Sequence, residues 1–565
     1  MPAEKTAKTE KAESDVVGTL MMLTLSFTLA MAFRAFVCEG YVIPTGSMGP
    51  TLMGAHARLF SPLTAYEYPT DISPAIGMAM TGEGRPLPVV DPMISTRDRI
   101  AEVPPQQLAA QDRAGDRVLV LKPLYAFARP KRWDVAVFKS PTAPVGASEN
   151  FIKRMVGLPN ETLLLFDGDV FTGPLGSAAC DLKIERKPEH VQRAVWQRVH
   201  DSDYQPVVPV ADMESAMRAR WDGGPWRIER GDRAKWAMAP NRRWRYDASG
   251  DTALSWDVQS WAIDDWNSYN ALRMAYEAVR RSPRGFADPA VRHDMCFAVN
   301  DLRLCTAIEC ADMANFATTF RLSTRGSTFE FDVRAAADGG GKATLRRVPE
   351  GGDAPSESSF DFTPRGDGLI ALEFWHVDQR LWMFVDGRLL GTLDYEFATL
   401  DDRLAASLIG RNVETYVKRP TETRAPTPPR LEWAFSSAAP FVLHRVRVDR
   451  DLYYRPVLHD ANNQYDVNGP YLYGPGFACD WEHPAQLGAT DYLMLGDNSA
   501  ASRDARQWGR PHAITLRTVG DAQPGVVPES LIVGKAWCVY FPAPISMSPG
   551  GPDFIPDVGR VRFIR

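Results

Sequence analysis

Three short stretches of this 565-residue chain combine side chains that could do covalent chemistry. In Ile43-Pro44-Thr45-Gly46-Ser47-Met48-Gly49-Pro50-Thr51-Leu52 a serine sits between glycine and methionine, with a proline on either side. A nucleophilic serine needs its hydroxyl held toward substrate and its own backbone N–H aimed at the developing oxyanion, and a Pro/Gly-restricted turn can supply both. By itself a Gly-Ser pair in a turn is ordinarily only a turn.

The second stretch, Phe151-Ile152-Lys153-Arg154-Met155-Val156-Gly157-Leu158-Pro159, places a lysine inside an apolar run that reads as a strand. Burial disfavours the ammonium form, so a desolvated lysine can be neutral near neutral pH and take a proton from serine. Strand alternation sends Lys153 and Arg154 to opposite faces, one into the site and the other toward solvent or a carboxylate. The bland alternative is an edge-strand lysine that snorkels to water.

The third stretch is Leu495-Gly496-Asp497-Asn498-Ser499, followed by Ser502, Asp504, Arg506, Trp508 and Gly509. Its hydroxyls and carboxylates can orient a buried amine, and Asp with Arg can clamp a loop. A calcium loop is the competing reading, but Arg503 and Arg506 dilute the negative charge that such a site requires.

These groups need a scaffold. The length suggests about two to four domains. Apolar residues at 45% and charged residues at 24% indicate a globular chain rather than a disordered one. A net charge of -6 with dispersed Lys and Arg gives no basic stripe, so nucleic acid is not an expected partner. Seven cysteines form no CxxC pair, which leaves a zinc site unsupported. Cys180 and Cys479 flank the middle section and could bridge in an oxidising compartment.

From Val16 to Val37 the chain is apolar except for Arg34, a length that can cross hydrocarbon. Lys5, Lys8 and Lys11, offset by Glu4, Glu10 and Glu13, would keep the amino-terminal tail in the cytoplasm. A cleaved secretory signal is the alternative. The segment from Ser61 to Gln111, rich in Pro, Gly, Thr and Ala, reads as an irregular insertion. Short strands are expected at Arg117 to Leu121, Asp134 to Lys139 and Thr162 to Phe166. The middle section, rich in Trp and Arg, has one convincing helical stretch, Tyr269 to Val279. Its later half alternates as an antiparallel sandwich at Ala317 to Leu322, Thr328 to Arg334, Lys342 to Val348, Ile370 to Trp375, Arg380 to Val385 and Phe441 to Val448. Its tryptophans read as core packing before a carbohydrate platform.

Taken together and in this order, the serine, lysine and Gly-Asp-Asn stretches resemble bacterial-type signal peptidase I. Gly115 to Lys139 and Val527 to Tyr540 look like that family's strands, whereas residues 61–111 and the middle section have no counterpart in it. The resemblance implies a membrane-bound serine endopeptidase with Ser47 as nucleophile and Lys153 as general base. Thr45, with the Ser47 N–H, would bind the oxyanion. Ser502 would hydrogen-bond the lysine amine, and Asp504 and Arg506 would form a structural pair. Met48 would help shape the substrate cleft, and Gly496, Asp497 and Asn498 would support the site. Ser499, Ala505 and Asn160-Glu161 depart from the family pattern; asparagine tolerates the left-handed backbone that glycine would adopt there.

The expected fold is mostly β: a single transmembrane helix and a barrel-like catalytic domain interrupted by an antiparallel β-sandwich, which weakly resembles laminin-G and concanavalin-like jelly rolls. The division is a tail at 1–15, an anchor at 16–37, a first catalytic part at 38–180, an insert at 181–450 that is sandwich-like from about 291, and a second catalytic part at 451–565. The resemblance further implies secretory preproteins with Ala-x-Ala-like cleavage sites as substrates, membrane lipid as partner, and no metal or organic cofactor. It places the chain in the bacterial inner membrane with its catalytic domain outside. The insert would take a ligand or protein of its own. The competing class is a membrane-anchored binding or assembly protein on an inactive peptidase framework.

Overall fold

The computed structural model describes residues 3–82, 84–94, 97, 99–142, 149–205, 224–239, 242–335, 339–352, 354–365, 367–408, 427–457, 475–509, 511–520, 523–546 and 553–564. The chain opens with a helix, Ala3–Phe36. Its part Val16–Phe36, 21 residues and about 31 Å long, is long and apolar enough to cross a membrane, and none of it is buried against the rest of the protein. Leu, Met and Ala are good helix formers. Two of its polar side chains bond within the helix: Thr24 Oγ1 donates to the Leu20 carbonyl and Thr28 Oγ1 to the Thr24 carbonyl, each at 2.8 Å.

Directly after the helix, Cys38–Val42 joins an antiparallel sheet. The sheet runs in the order Cys38–Val42, Arg117–Leu121, Ile532–Phe541, Val135–Lys139, Asn150–Gly157, Asp491–Leu495 and Val527–Pro528, with Arg562–Phe563 on Ile532–Phe541. The strand expected at 117–121 is found at those bounds, and that expected at 134–139 begins one residue later. Strands from both ends of the chain alternate in this sheet, so its hydrogen bonds close only after the middle of the chain has been passed over. A smaller sheet, Lys183–Ile184, Asp169–Pro174, Glu161–Phe166 and Ala485–Leu487, lies beside it.

The middle section forms two antiparallel sheets around one aromatic-rich core that includes Trp226, Trp256, Phe320, Phe374 and Trp433. These tryptophans are core residues, as their type suggests. The sandwich begins earlier than about 291: Trp226–Arg230 and Gly250–Trp256 belong to one sheet, and Trp236–Ala239 and Arg243–Tyr246 to the other. At four to seven residues these strands are too short for a period-two pattern to stand out as it does in the later ones.

The stretch 61–111 is not irregular. It holds the hairpin arm Glu67–Asp71, the helix Ser73–Met80, the paired strands Leu87–Val90 and Arg99–Val103, and the short helix Pro105–Ala109. Its core, with Tyr68, Ile72 and Leu87, is closed by Leu272, Ala275 and Ala278 of the helix Ala271–Arg281. That partner lies far along the sequence, so the local composition could not reveal a core. All seven cysteines are free, Cys180 and Cys479 included.

Where the smaller sheet meets the sandwich, Asp169, Asp301, Asp378 and Asp451 converge, all buried. Asp167 and Asp169 accept from Arg403, Asp301 pairs with Arg325, and Lys187 Nζ lies 2.6 Å from Asp378 and 2.9 Å from Asp451. Five carboxylates thus share three permanent cations at this seam. Burial, reinforced by Asp301, pushes the Asp169 carboxyl well above the usual range, and burial raises Asp378 to about 6.

Candidate active site

Ser47 lies in the single 3-10 turn Gly46–Met48. The Gly49 N–H closes this turn onto the Gly46 carbonyl at 2.9 Å, and Asp116 holds its flanks. The Asp116 carbonyl accepts from Ile43 N at 2.9 Å, and its Oδ2 accepts from Met53 N at 3.0 Å. Gly115 and Gly54 are needed here because a Cβ on either would strike backbone of the turn, at Ile43 and Thr45 respectively. Ser47 itself is half-buried and Thr45 is exposed.

Lys153 is on the strand Asn150–Gly157, opposite Ala136. Its Nζ donates to Ser47 Oγ at 2.5 Å, and the residue is 5% exposed. Burial is the main cause lowering its amine to about 8; Asp504 and Asp497 pull it upward, and Arg506 adds to the lowering. Arg154 points the other way, as alternation requires, and is fully buried rather than solvated. It is held by Asp497, through Nε to Oδ1 at 2.8 Å and Nη2 to Oδ2 at 2.6 Å, and by the Trp133 carbonyl at 2.9 Å.

The late stretch wraps the serine turn. Asn498 N donates to the Ser47 carbonyl at 3.1 Å, and Asn498 Nδ2 to the Gly46 carbonyl at 2.9 Å. Gly496 N donates to Asp504 Oδ2 at 3.0 Å. Asp504 and Arg506 are both fully buried and pair at 2.7 and 2.8 Å. Arg506 Nη1 also reaches Ser499 Oγ at 2.8 Å, so the serine at 499 is tied into this clamp. Asn160 has φ 63°, the left-handed conformation that its type tolerates.

Two sequence expectations change. Ser502 is buried beside Gly496, but its hydroxyl has no hydrogen-bond partner among the described residues, so the bond to the Lys153 amine is not formed in this conformation. Met48 is fully buried in a cluster with Ile43, Leu52, Val118 and Val137. It anchors the turn from beneath instead of lining an open cleft, because an unbranched apolar side chain fills the gap between turn and sheet.

Sequence reasoning missed Asp116, Tyr269 and Asn270. The ring of Tyr269 lies against Gly46 and Gly49, and its hydroxyl accepts from Gly54 N at 3.2 Å. Asn270 exchanges amide hydrogen bonds with Asn498. Nothing local marks these two, since they come from the middle section. The arrangement places a hydroxyl on a constrained turn against a desolvated amine, with charged groups locked behind both, as proton transfer from serine requires.

Residues 100–172, the segment that carries Lys153, match the family model "Signal peptidase, peptidase S26". A relative described as "Signal peptidase I" from Leptolyngbya laminosa is 26% identical over 174 residues, 30% of this chain. The chain spans 56% of that relative's length. Among solved structures, the carbohydrate binding module CBM66 from Bacillus subtilis aligns over 40% of this chain and 95% of its own at 11% identity, with a TM-score of 0.22. A laminarinase catalytic domain from Thermotoga maritima aligns over 46% of this chain and 99% of its own at 8% identity, with a TM-score of 0.25. At such scores neither structure bears on function. Over the matched segment the chain is thus similar to S26 signal peptidases, the family that its serine, lysine and Gly-Asp-Asn stretches resemble.

Proposed function

We propose that the protein is a membrane-anchored signal peptidase I, a serine endopeptidase that removes signal peptides from secretory preproteins with a Ser47/Lys153 dyad. The observation that carries this reading is the hydrogen bond between the desolvated Lys153 amine and Ser47 Oγ. With the amine neutral, it accepts the Ser47 proton as Oγ attacks the scissile carbonyl carbon. The oxyanion that forms is bound by the Ser47 N–H and the Thr45 hydroxyl. As the tetrahedral species collapses, the C–N bond breaks and Lys153 gives the proton to the leaving amine. Water, deprotonated by the same amine, then hydrolyses the acyl ester on Ser47 and restores the serine hydroxyl.

Val16–Phe36 anchors the chain in the inner membrane of a bacterium, amino terminus inside, and keeps the serine turn Gly46–Met48 about ten residues from the outer end of the span. Preproteins with small residues at an Ala-x-Ala-like site are the substrates that the similarity to signal peptidases suggests. The site needs no metal in this mechanism.

Cleavage of a purified preprotein in detergent, with the cut located by mass spectrometry, tests the reading. Wild type is expected to cut after a small residue, and Ser47→Ala and Lys153→Ala to leave the substrate intact. Equal cutting by either variant would reject the dyad.

A further inference from the structure

The turn that carries Ser47 is held from a side that belongs to the middle section of the chain. Asn267–Asn270 approaches it as a rigid corner. Asn267 Oδ1 accepts from Asn270 N at 3.0 Å, and the Tyr269 carbonyl accepts from Thr70 Oγ1 at 3.2 Å. Tyr269 and Asn270 are 0% and 1% exposed. The Tyr269 ring fills the space that side chains at 46 and 49 would need. Asn270 Oδ1 accepts from Asn498 Nδ2 at 2.9 Å, and Asn270 Nδ2 donates back to Asn498 Oδ1. This self-complementary amide pair fixes the Asn498 amide so that its second Nδ2 hydrogen meets the Gly46 carbonyl while Asn498 N meets the Ser47 carbonyl.

The arrangement has a direction. Asn498 could rotate about its side chain if it bonded only to the turn; with Asn270 on its far edge, rotation would break two buried hydrogen bonds. Tyr269 meanwhile closes the turn against Gly54, the residue whose Cα stands against the Thr45 backbone. The Asn270 contact reaches the Ser47 carbonyl through Asn498, the Tyr269 contacts reach Gly46, Gly49 and Gly54 on either side of Ser47, and both leave the Ser47 hydroxyl to Lys153.

We infer that Tyr269 and Asn270 are positioning residues for the nucleophile, which makes the corner of the middle section an integral part of the peptidase site. The inference rests on Ser47 acting as proposed above. Neither residue touches the reacting atoms. Their action passes through Asn498 and through the Gly46 and Gly54 backbone.

The test uses the full-length protein in detergent micelles, with Asn270→Ala, Asn498→Ala, the double variant and Tyr269→Phe, which removes only the hydroxyl. Preprotein cleavage is resolved into kcat and KM per folded molecule, and hydrogen exchange is followed in the segment 44–54. Expected are a kcat about 10- to 100-fold lower for Asn270→Ala with KM changed less than about 3-fold, as displacement of a nucleophile demands. The double variant should be no slower than Asn498→Ala alone, and exchange in 44–54 should quicken in Asn270→Ala and Tyr269→Phe.

If wild type cuts and Asn270→Ala keeps its kcat per folded molecule, the inference fails and the peptidase reading stands. Losses that multiply in the double variant would equally reject action through Asn498. If wild type cuts no preprotein, the peptidase reading fails, and the exchange rates alone decide whether the corner holds the turn; unchanged exchange rejects it.

Discussion

Arg154 and Asp497 face each other through two hydrogen bonds, at 2.8 and 2.6 Å, with side chains 0% and 1% exposed. The pair ties the strand that carries Lys153 to the loop that wraps Ser47. Removing one partner of such a pair leaves a buried charge, so Asp497→Ala should destabilise the protein by about 3–5 kcal/mol. Asp497 also raises the Lys153 amine, and its loss leaves Arg154 positive nearby. The acid limb of the pH–rate profile should therefore move to lower pH, read against wild type alongside urea melts.

Activity of the wild type should rise with pH through about 8, as the Lys153 amine loses its proton. The same shift bears on stability. Between about 8 and the ordinary 10.5 the folded chain holds fewer protons than the unfolded one, so this site's contribution improves as pH rises across that window and its penalty is complete below it. Lys153→Met should abolish cleavage yet stabilise the fold at pH 7, by an amount on the order of 2 kcal/mol, because the cost of an ammonium in a desolvated site is removed. Melts of Lys153→Met at pH 7 and pH 10 check this: the advantage should shrink at the higher pH.

Thr45→Val keeps the shape at that position and deletes the hydroxyl proposed to bind the oxyanion. The expected fall in kcat is about 100- to 1,000-fold, with KM little changed, whereas Thr45→Ser should stay within a few-fold of wild type. Steady-state cleavage of one preprotein by the three proteins decides it. A kcat unaltered in Thr45→Val would assign the oxyanion to other donors.

At Gly496 a Cβ would collide with Ser502 Oγ and the Ser47 carbonyl. Ser502 can rotate away, but the Ser47 carbonyl belongs to the turn. Gly496→Ala should therefore reduce cleavage well beyond what its loss of stability explains, and restoring space with Ser502→Ala in the same chain should recover little. Recovery in that double variant would show that the turn does not depend on Gly496.

The carboxylate seam predicts a pH response of its own. Asp378, raised to about 6 by burial, holds a proton in the fold at pH values where the unfolded chain has lost it, so its contribution falls as pH rises from about 4 to 6. Asp169 acts in the same sense, raised by burial and by Asp301. His376, kept neutral by burial with its value lowered to about 4, pulls the opposite way. The readout is thus a difference: Asp169→Asn should be within about 1 kcal/mol of wild type at pH 7 and show a smaller loss of stability between pH 4 and pH 6. Thermal melts at several pH values measure it.

Much of the site was legible without coordinates because its chemistry is local. A serine in a Pro/Gly turn, a lysine in an apolar strand and a polar loop with Asp and Arg each announce themselves within about ten residues, and strand alternation already separated Lys153 from Arg154. The later sandwich strands, such as Phe316–Thr324 and Ser327–Ala335, were visible for the same reason: each buries alternate residues. The stretch 61–111 was misread because its core is completed by Leu272, Ala275 and Ala278, and a segment without its partner shows only its turn-forming residues.

By itself the sequence determined which atoms can do chemistry and in what order they come: Ser47, Lys153 and the loop from Gly496 to Arg506, behind an apolar stretch long enough to span a bilayer. Only the tertiary structure decided their company. It placed the Lys153 amine on Ser47 Oγ, set Met48 beneath the turn rather than in a cleft, left the Ser502 hydroxyl without a partner among the described residues, and brought Tyr269 against Gly46 and Gly49 and Asn270 against Asn498. The physical reason is one of range. Propensity and alternation act over a few residues, whereas desolvation of an amine and closure of a hydrogen-bonded corner are set by segments hundreds of residues apart that meet only when the cores form.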